Sequence, residues 1–323
     1  MMTSGGVRVE KVLSSNEKEL TMNWAEICFC MDLPPVAGRP DGLDCGRVSA
    51  FLAETLFAGS RGAGYVLTAR YRQMTANFLD VPFDDSRWDL DVGGQILRHD
   101  AHDNAALLSV PANLLDGCAA PVSELLNHAN FGHDMPTWMV RRGVENPLRV
   151  MIVSQDPRRT GHPAGSLVLS TPFGFHSRDY RAVHCQNPVL CRLVERLLEA
   201  DACVYLTDCM KFYTDDVVAG GNPPQNYVRS NLRHYRDLFR TALDAEIAAY
   251  APDVILTLGN EAADSVGAAH PGEGLTPQPL NGRTVVAAYH TGAHLPVINN
   301  LGFPNTQEYF NQVFTTVTGV RRG

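Results

Sequence analysis

The sequence predicts an α/β fold: a three-layer αβα sandwich with a central, mainly parallel four-stranded sheet, plus an N-terminal extension or small domain. Two observations support this prediction. Four short apolar runs occur after residue 148, and segments with the apolar spacing of helices separate them. The 323 residues are 45% hydrophobic and 19% charged, which is typical of a globular protein with one large domain or two smaller ones.

The predicted elements alternate between strand and helix along the second part of the chain. Strands are predicted over 149–153, 203–207, 253–259 and 284–290, and helices over 187–200, 226–250 and 260–269. Strands that alternate with helices form βαβ units and a parallel sheet. Because ligands of such a sheet bind beyond the carboxyl ends of its strands, we expect the functional residues at those ends.

The first part of the chain is less regular. Residues 47–59 and 65–79 have helical spacing, whereas residues 80–105 are acidic and are predicted to form loops. We therefore divide the chain into an N-terminal extension over 1–118, of unknown role and partly helical, and a second domain over 119–323.

Composition and charge argue against several classes of protein. The formal net charge of -8 is unlike that of proteins that coat nucleic acid. No apolar stretch reaches the roughly 20 residues that span a bilayer, and the N-terminus lacks the apolar segment of a secretion signal. The eight scattered cysteines are expected to be reduced thiols. We therefore expect a cytoplasmic protein with no membrane contact, and a monomer.

Polar residues follow each predicted strand, where a parallel sheet binds its ligands. A carboxylate, an amide and an imidazole at one sheet edge are groups suited to acid, base and hydrogen-bond catalysis. Strand ends of this kind also carry ordinary polar turns, because an Asp-Pro pair commonly starts a turn. The residues at the four ends are Gln155, Asp156, Asp208, Gly259, Asn260 and His290.

Four segments at these strand ends resemble motifs of the uracil-DNA glycosylase superfamily, in order and spacing, over about residues 120–315. The segments are SQDPRRTGHPAGSLVLS from residue 154, VYLTDCMKF from 204, PDVILTLGNEAADSV from 252 and AAYHTGAHLP from 287. The resemblance implies that residues 119–323 form a uracil-DNA-glycosylase-like domain. It also implies a monofunctional DNA glycosylase, which hydrolyses the N-glycosidic bond of a flipped-out base and binds DNA.

The resemblance assigns roles to individual residues. Asp156 would activate water and stabilise positive charge on the sugar, while His290 would donate a hydrogen bond to the departing base. Gln155 and Asp208 would contact the base, and Leu169 or Phe173 would stack on it. The residues expected to contact DNA are Arg159, Gly259, Asn260, His294 and Leu295.

Two departures from the family motifs concern the choice of base. Asp208 stands where the family has a base-reading asparagine, and Arg158 stands where it has an aromatic residue that blocks 5-substituted pyrimidines. An ionised Asp208 would accept from the amino group of cytosine, and Arg158 would leave space beside C5. These residues predict a C5-modified cytosine as substrate and a role in phage defence.

Other interpretations remain open on the sequence alone. A protonated Asp208 would suit a uracil-DNA glycosylase of base-excision repair, and a non-catalytic protein that binds modified bases could use the same fold. Phe212 follows Lys211 where iron–sulfur branches of the family have a cysteine, so we expect no cluster. A metal-dependent hydrolase would need a site such as His99 and His102, which are expected to lie in an exposed loop. We expect neither metal nor cofactor.

Overall fold

The computed structural model describes residues 22–36, 41–79, 90–92, 95–97, 108–110, 117–120, 122–157, 167–177, 181, 188–215, 227–272, 275–292 and 295–320. Its strands are β1 (Ile27–Phe29), β2 (Leu90–Val92), β3 (Gln95–Leu97), β4 (Leu108–Val110), β5 (Ala129–Asp134), β6 (Thr137–Arg141), β7 (Leu148–Ser154), β8 (Leu167–Ser170), β9 (Ala202–Asp208), β10 (Tyr213–Asp215), β11 (Val254–Leu258), β12 (Gln278–Leu280) and β13 (Arg283–Ala288). Its α-helices are α1 (Cys45–Thr55), α2 (Ala63–Leu79), α3 (Pro188–Glu199), α4 (Tyr227–Ser230), α5 (Leu232–Tyr250), α6 (Asn260–Val266), α7 (Leu295–Asn300) and α8 (Thr306–Thr318).

A seven-stranded sheet of order β1-β6-β9-β7-β11-β13-β12 forms the centre of the fold. Its four middle strands, β9, β7, β11 and β13, run parallel, which confirms the predicted parallel sheet. Antiparallel strands extend it, with β6 and β1 on one side and β12 on the other. These edge strands have only three to five residues each, which is too short for a clear alternation of apolar residues.

The middle strands are buried on both faces, and this explains their continuous apolar sequences. Every residue of β9 and of β11 is buried. The helices instead bury one stripe. In α5 the stripe includes Tyr235, Phe239, Leu243 and Ile247, which recur every four residues.

Strand order determines the two helical layers. The chain passes from β7 to β9 in one direction and from β9 to β11 in the other, so right-handed crossovers place α3 and α5 on opposite faces of the sheet. Helix α8 packs on α3, and α1 packs on α5. The sandwich of helix, sheet and helix is therefore confirmed.

A second sheet, of order β10-β5-β8-β4, adjoins the carboxyl end of β9. Strand β5 leads into β6 through Met135 and Pro136, and the chain leaving β9 forms β10 after four residues. Because β6 pairs with β9 and β5 pairs with β10, the two chain segments connect the sheets. The sequence did not predict this sheet, since two of its strands have only three residues.

Described elements of the first 118 residues pack into the same fold. Strand β1 pairs with β6, and β4 pairs with β8.

The prediction of a loop over 80–105 is wrong at β2 and β3, which form an antiparallel hairpin. The signal was the Gly-Gly pair between Val92 and Gln95, which the acidic composition obscured. The division of the chain at residues 118 and 119 stays a prediction.

The described cysteines differ in state. Six of them are free thiols, whereas Cys191 on α3 is disulfide-bonded, so the expectation of reduced thiols is wrong at that position. Among the helices that the structure describes, none combines the length and apolar character needed to cross a membrane.

Candidate active site

The parallel ladders bring four strand ends to one edge of the central sheet. Ser154 at the end of β7 is the ladder partner of Asp208 at the end of β9, and Leu258 of β11 is the partner of Ala288 of β13. The strand order reverses at β7, since the next strand of this sheet, β9, lies on one side of it and β11 lies on the other, and such a switch point is where parallel sheets form a ligand crevice. The predicted site residues at this edge are Gln155, Asp156, Asp208, Gly259, Asn260 and His290.

The loop after β7 is fixed to the loop after β9 through the carbonyl of Gln155. That oxygen accepts from the amide of Met210 at 2.9 Å and from Sγ of Cys209 at 3.4 Å. The Gln155 side-chain amide lies 3.5 Å from Oδ2 of the half-buried Asp156. The catalytic carboxylate predicted from the sequence therefore stands on a loop held by main-chain hydrogen bonds.

Asp208 is buried at the same edge, with 3% of its surface exposed. The hydroxyl of Ser154 donates to its Oδ1. The pKa of the neighbouring Cys209 thiol is raised to about 12, chiefly by burial and next by the charge of Asp208, with a smaller contribution from Asp156 and an opposing one from Lys211. Both carboxylates thus lie close enough to act on one thiol, and the edge has an acidic character.

His290 is half-buried, and its imidazole has a defined tautomer. The amide of Gly292 donates to Nδ1 at 3.1 Å, so in the neutral ring the proton is on Nε2. Burial lowers the pKa of His290 below its usual value, although the charge of Asp156 acts in the opposite direction. The ring is therefore a neutral donor at neutral pH.

The backbone around His290 is held on two sides. The amide of Tyr289 donates to the hydroxyl of the buried Tyr309 on α8 at 2.9 Å. Gly259 donates its amide to the Ala288 carbonyl at 2.8 Å and has a φ of +97°, which favours glycine. This hydrogen bond therefore fixes the position of the start of α6 relative to the end of β13.

The two candidates for stacking on a base differ in exposure. Leu169 lies within β8 and has no exposed surface. Phe173 is half-buried on a short 3-10 helix, Pro172–Gly174, that contacts β9. Phe173 has a φ of +57°, an uncommon left-handed backbone conformation that holds its ring beside the core. Of the two, only Phe173 has surface that could meet a ligand.

The remaining residues predicted to contact DNA or the base lie either outside the described residues or at the exposed start of a helix. Arg158, Arg159 and His294 lie outside the described residues. Asn260 is exposed at the start of α6, and Leu295 is 47% exposed at the start of α7. An exposed leucine next to a strand-end loop is compatible with a residue that enters a DNA groove.

Lys211 is not available as a nucleophile. Its Nζ lies 2.6 Å from Oε1 of Glu246 and 2.8 Å from Oγ1 of Thr207, and its side chain is 1% exposed. The other two lysines, Lys11 and Lys18, lie outside the described residues, as do His99 and His102. Within the described part of the chain, no group of three or more His, Cys, Asp or Glu side chains is placed to hold a metal.

Sequence reasoning missed two groups of this edge. No role was assigned to Ser154 from the sequence, although a serine at the buried end of a strand must find a hydrogen-bond partner. Gly292 contributes only its amide, and its position two residues after His290 was the signal for a tight turn.

Comparison with known proteins supports the family resemblance of the four strand-end motifs. Among curated proteins none matches the chain. The family model described as the uracil DNA glycosylase superfamily matches residues 142–314, which is more than half of the chain and includes all four strand ends. The chain belongs to the uracil DNA glycosylase superfamily.

Proposed function

We propose that this chain is a monofunctional DNA glycosylase, which hydrolyses the N-glycosidic bond of a flipped-out nucleotide and leaves an abasic site. The observation that carries the proposal is the presence of a neutral imidazole, His290, and the carboxylate of Asp156 at the same edge of the central sheet. Membership of the superfamily supports DNA as the partner.

The two groups suit the two charges that develop in this reaction. As the bond to C1′ breaks, positive charge grows on the sugar and the base leaves with the electron pair. The carboxylate of Asp156 stabilises the sugar cation and orients a water molecule towards C1′. His290 donates from Nε2 to an oxygen of the base, where negative charge accumulates. Because the amide of Gly292 donates to Nδ1, the proton of the neutral ring is on Nε2, from which it can be donated to the base.

We further propose a C5-modified cytosine as the base. Asp208 would accept from the exocyclic amine, and Phe173 would stack on the ring. Arg158 would contact the substituent at C5. The biological role that follows is defence in the cytoplasm against phages whose genomes carry such bases, because an abasic site at each modified cytosine would block replication.

A second candidate is a uracil-DNA glycosylase of base-excision repair, which the family assignment favours. A protein that only binds modified bases is a third. The candidates differ in one respect that can be measured: which base, if any, is released.

The experiment is incubation of the purified protein with single-stranded and double-stranded oligonucleotides. Each carries one cytosine, 5-hydroxymethylcytosine, glucosylated hydroxymethylcytosine or uracil, and mass spectrometry identifies the released base. We expect release of a modified cytosine and little release of uracil. Efficient release of uracil alone would refute the substrate proposal, and binding with no release would refute the glycosylase.

Asp201→Asn is the matched control for a variant at Asp156. Asp201 lies at the opposite end of β9, is paired with Arg141 on the surface, and has a φ of +60° that asparagine tolerates. The same chemical change at the far end of the sheet should leave base release unaltered.

A further inference from the structure

Ser154 and Asp208 meet where two parallel strands end. They are direct ladder partners of β7 and β9. The amide of Cys209 donates to the Ser154 carbonyl at 2.8 Å, so the turn after β9 begins on the backbone of β7. Main-chain hydrogen bonds therefore fix the positions from which both side chains project.

Hydroxyl groups of the described residues bind either main-chain carbonyls or side chains. Ser49 and Thr68 each donate to a main-chain carbonyl four residues earlier in a helix. Ser154 instead donates to Oδ1 of the Asp208 side chain, and both residues are 3% exposed. A buried hydroxyl that binds a side chain rather than the backbone acts on the orientation of that side chain.

The contact has a consequence for hydrogen bonding. A carboxylate accepts hydrogen bonds and donates none, and a donor placed beside it stabilises the charged form. Because Oδ1 is bound to Ser154, rotation of the Asp208 carboxylate is restricted. The direction of the Asp208 carboxyl group is thus set by a residue of the neighbouring strand.

We infer that Ser154 is a positioning residue for base selection, whose hydroxyl holds Asp208 as an oriented acceptor for the exocyclic amine of a flipped-out cytosine. The inference rests on the proposed function, in which Asp208 reads the base. Uracil presents a carbonyl oxygen at that position, and an oriented carboxylate repels it. Ser154 itself contacts Asp208 and not the base.

The test measures binding in an Asp156→Asn background, so that catalysis does not deplete the substrate. Fluorescence anisotropy gives the affinity for single-stranded oligonucleotides with one hydroxymethylcytosine or one uracil. Ser154→Ala should lower the ratio of the two affinities roughly tenfold, as expected for loss of one hydrogen bond to a charged group. Ser154→Thr keeps a hydroxyl and should restore the ratio, and Ser154→Cys, a weaker donor of similar size, should give an intermediate value.

Two controls separate orientation of Asp208 from a general structural effect. In an Asp208→Ala background, Ser154→Ala should change the ratio less than about twofold, because the side chain that Ser154 contacts is gone. Ser49→Ala removes a buried hydroxyl on α1 and should leave the ratio unchanged.

The outcomes distinguish this inference from the proposed function. A ratio that Ser154→Ala and Ser154→Cys leave unchanged, while Asp208→Asn lowers it, overturns the inference and leaves the glycosylase intact. Equal affinity for both oligonucleotides before any change at Ser154 also overturns it. Absence of base release by the unsubstituted protein refutes the proposed function, and the binding ratio then still decides the role of Ser154.

Discussion

Removal of Lys211 should destabilise the protein strongly and in a pH-dependent manner. Nζ of Lys211 lies 2.6 Å from Oε1 of Glu246, and the two side chains are 1% and 0% exposed, respectively. Loss of one partner of a buried ion pair costs about 3–5 kcal/mol, because the other charge is left without compensation. We therefore expect Lys211→Met to lower the free energy of unfolding by that amount at pH 8.

The sign of the pH dependence follows from Glu246. Burial raises its pKa, and the charge of Lys211 opposes this effect, so the pKa should rise further in Lys211→Met. A carboxyl group whose pKa is raised on folding gives its full stability below the pKa of the unfolded chain and loses it as pH rises. The variant should therefore be less impaired at pH 5 than at pH 8.

Urea unfolding followed by circular dichroism at both pH values measures this difference. The double variant Lys211→Met/Glu246→Leu should regain most of the loss, since it removes both buried charges. It should also release base, because Lys211 has no role as a nucleophile in the proposed mechanism. A loss below about 1 kcal/mol at both pH values would refute the reasoning, since such a value is typical of an exposed pair.

Four further predictions concern the candidate site. Asp156→Asn should lose most base release and keep DNA binding, measured by base analysis and anisotropy; full activity would show that the carboxylate has another role. His290→Ala should lower the rate of base release on the order of 100-fold, as for other donors to a developing charge, and wild-type rates would contradict the assignment. NMR titration of His290 should give a midpoint below its usual value because burial lowers its pKa, and Asp156→Asn should lower it further; a midpoint above the usual value would be inconsistent with a neutral donor. Base release should persist in EDTA, since only Asp156 and His290 act in the proposed mechanism, and inhibition by the chelator would point to a metal.

The sequence predicted the parts of the fold that depend on long apolar patterns. The four parallel strands and helices α3 and α5 follow from continuous apolar runs and from a stripe at helical spacing. The second sheet and the edge strands could not be predicted in this way. Their strands are short, and they are formed by pairing with residues far away in the chain.

The candidate site was predictable in position but only partly in detail. Asp156, Asp208 and His290 could be placed at one sheet edge because parallel strands end together. The contact between Ser154 and Asp208 depends on the register of two strands, which a single sequence does not give. The tautomer of His290 depends on a hydrogen bond from the main-chain amide of Gly292, and no side chain in the sequence indicates this contact. The choice of Phe173 over Leu169 depends on burial in a sheet that was not predicted.

The hydrogen bond from Gly292 to His290 has a consequence for how this loop can change during evolution. The donor is a main-chain amide, so the chemical state of the imidazole depends on the path of the loop and not on a side chain. A Cβ atom at position 292 would lie 3.4 Å from Nδ1, which is an ordinary contact, so a side chain has room to begin there. Proline is the exception, because it has no amide hydrogen to donate. We therefore expect substitution at this position to be limited by the need for a main-chain amide, and a comparison of side chains alone would overlook that constraint.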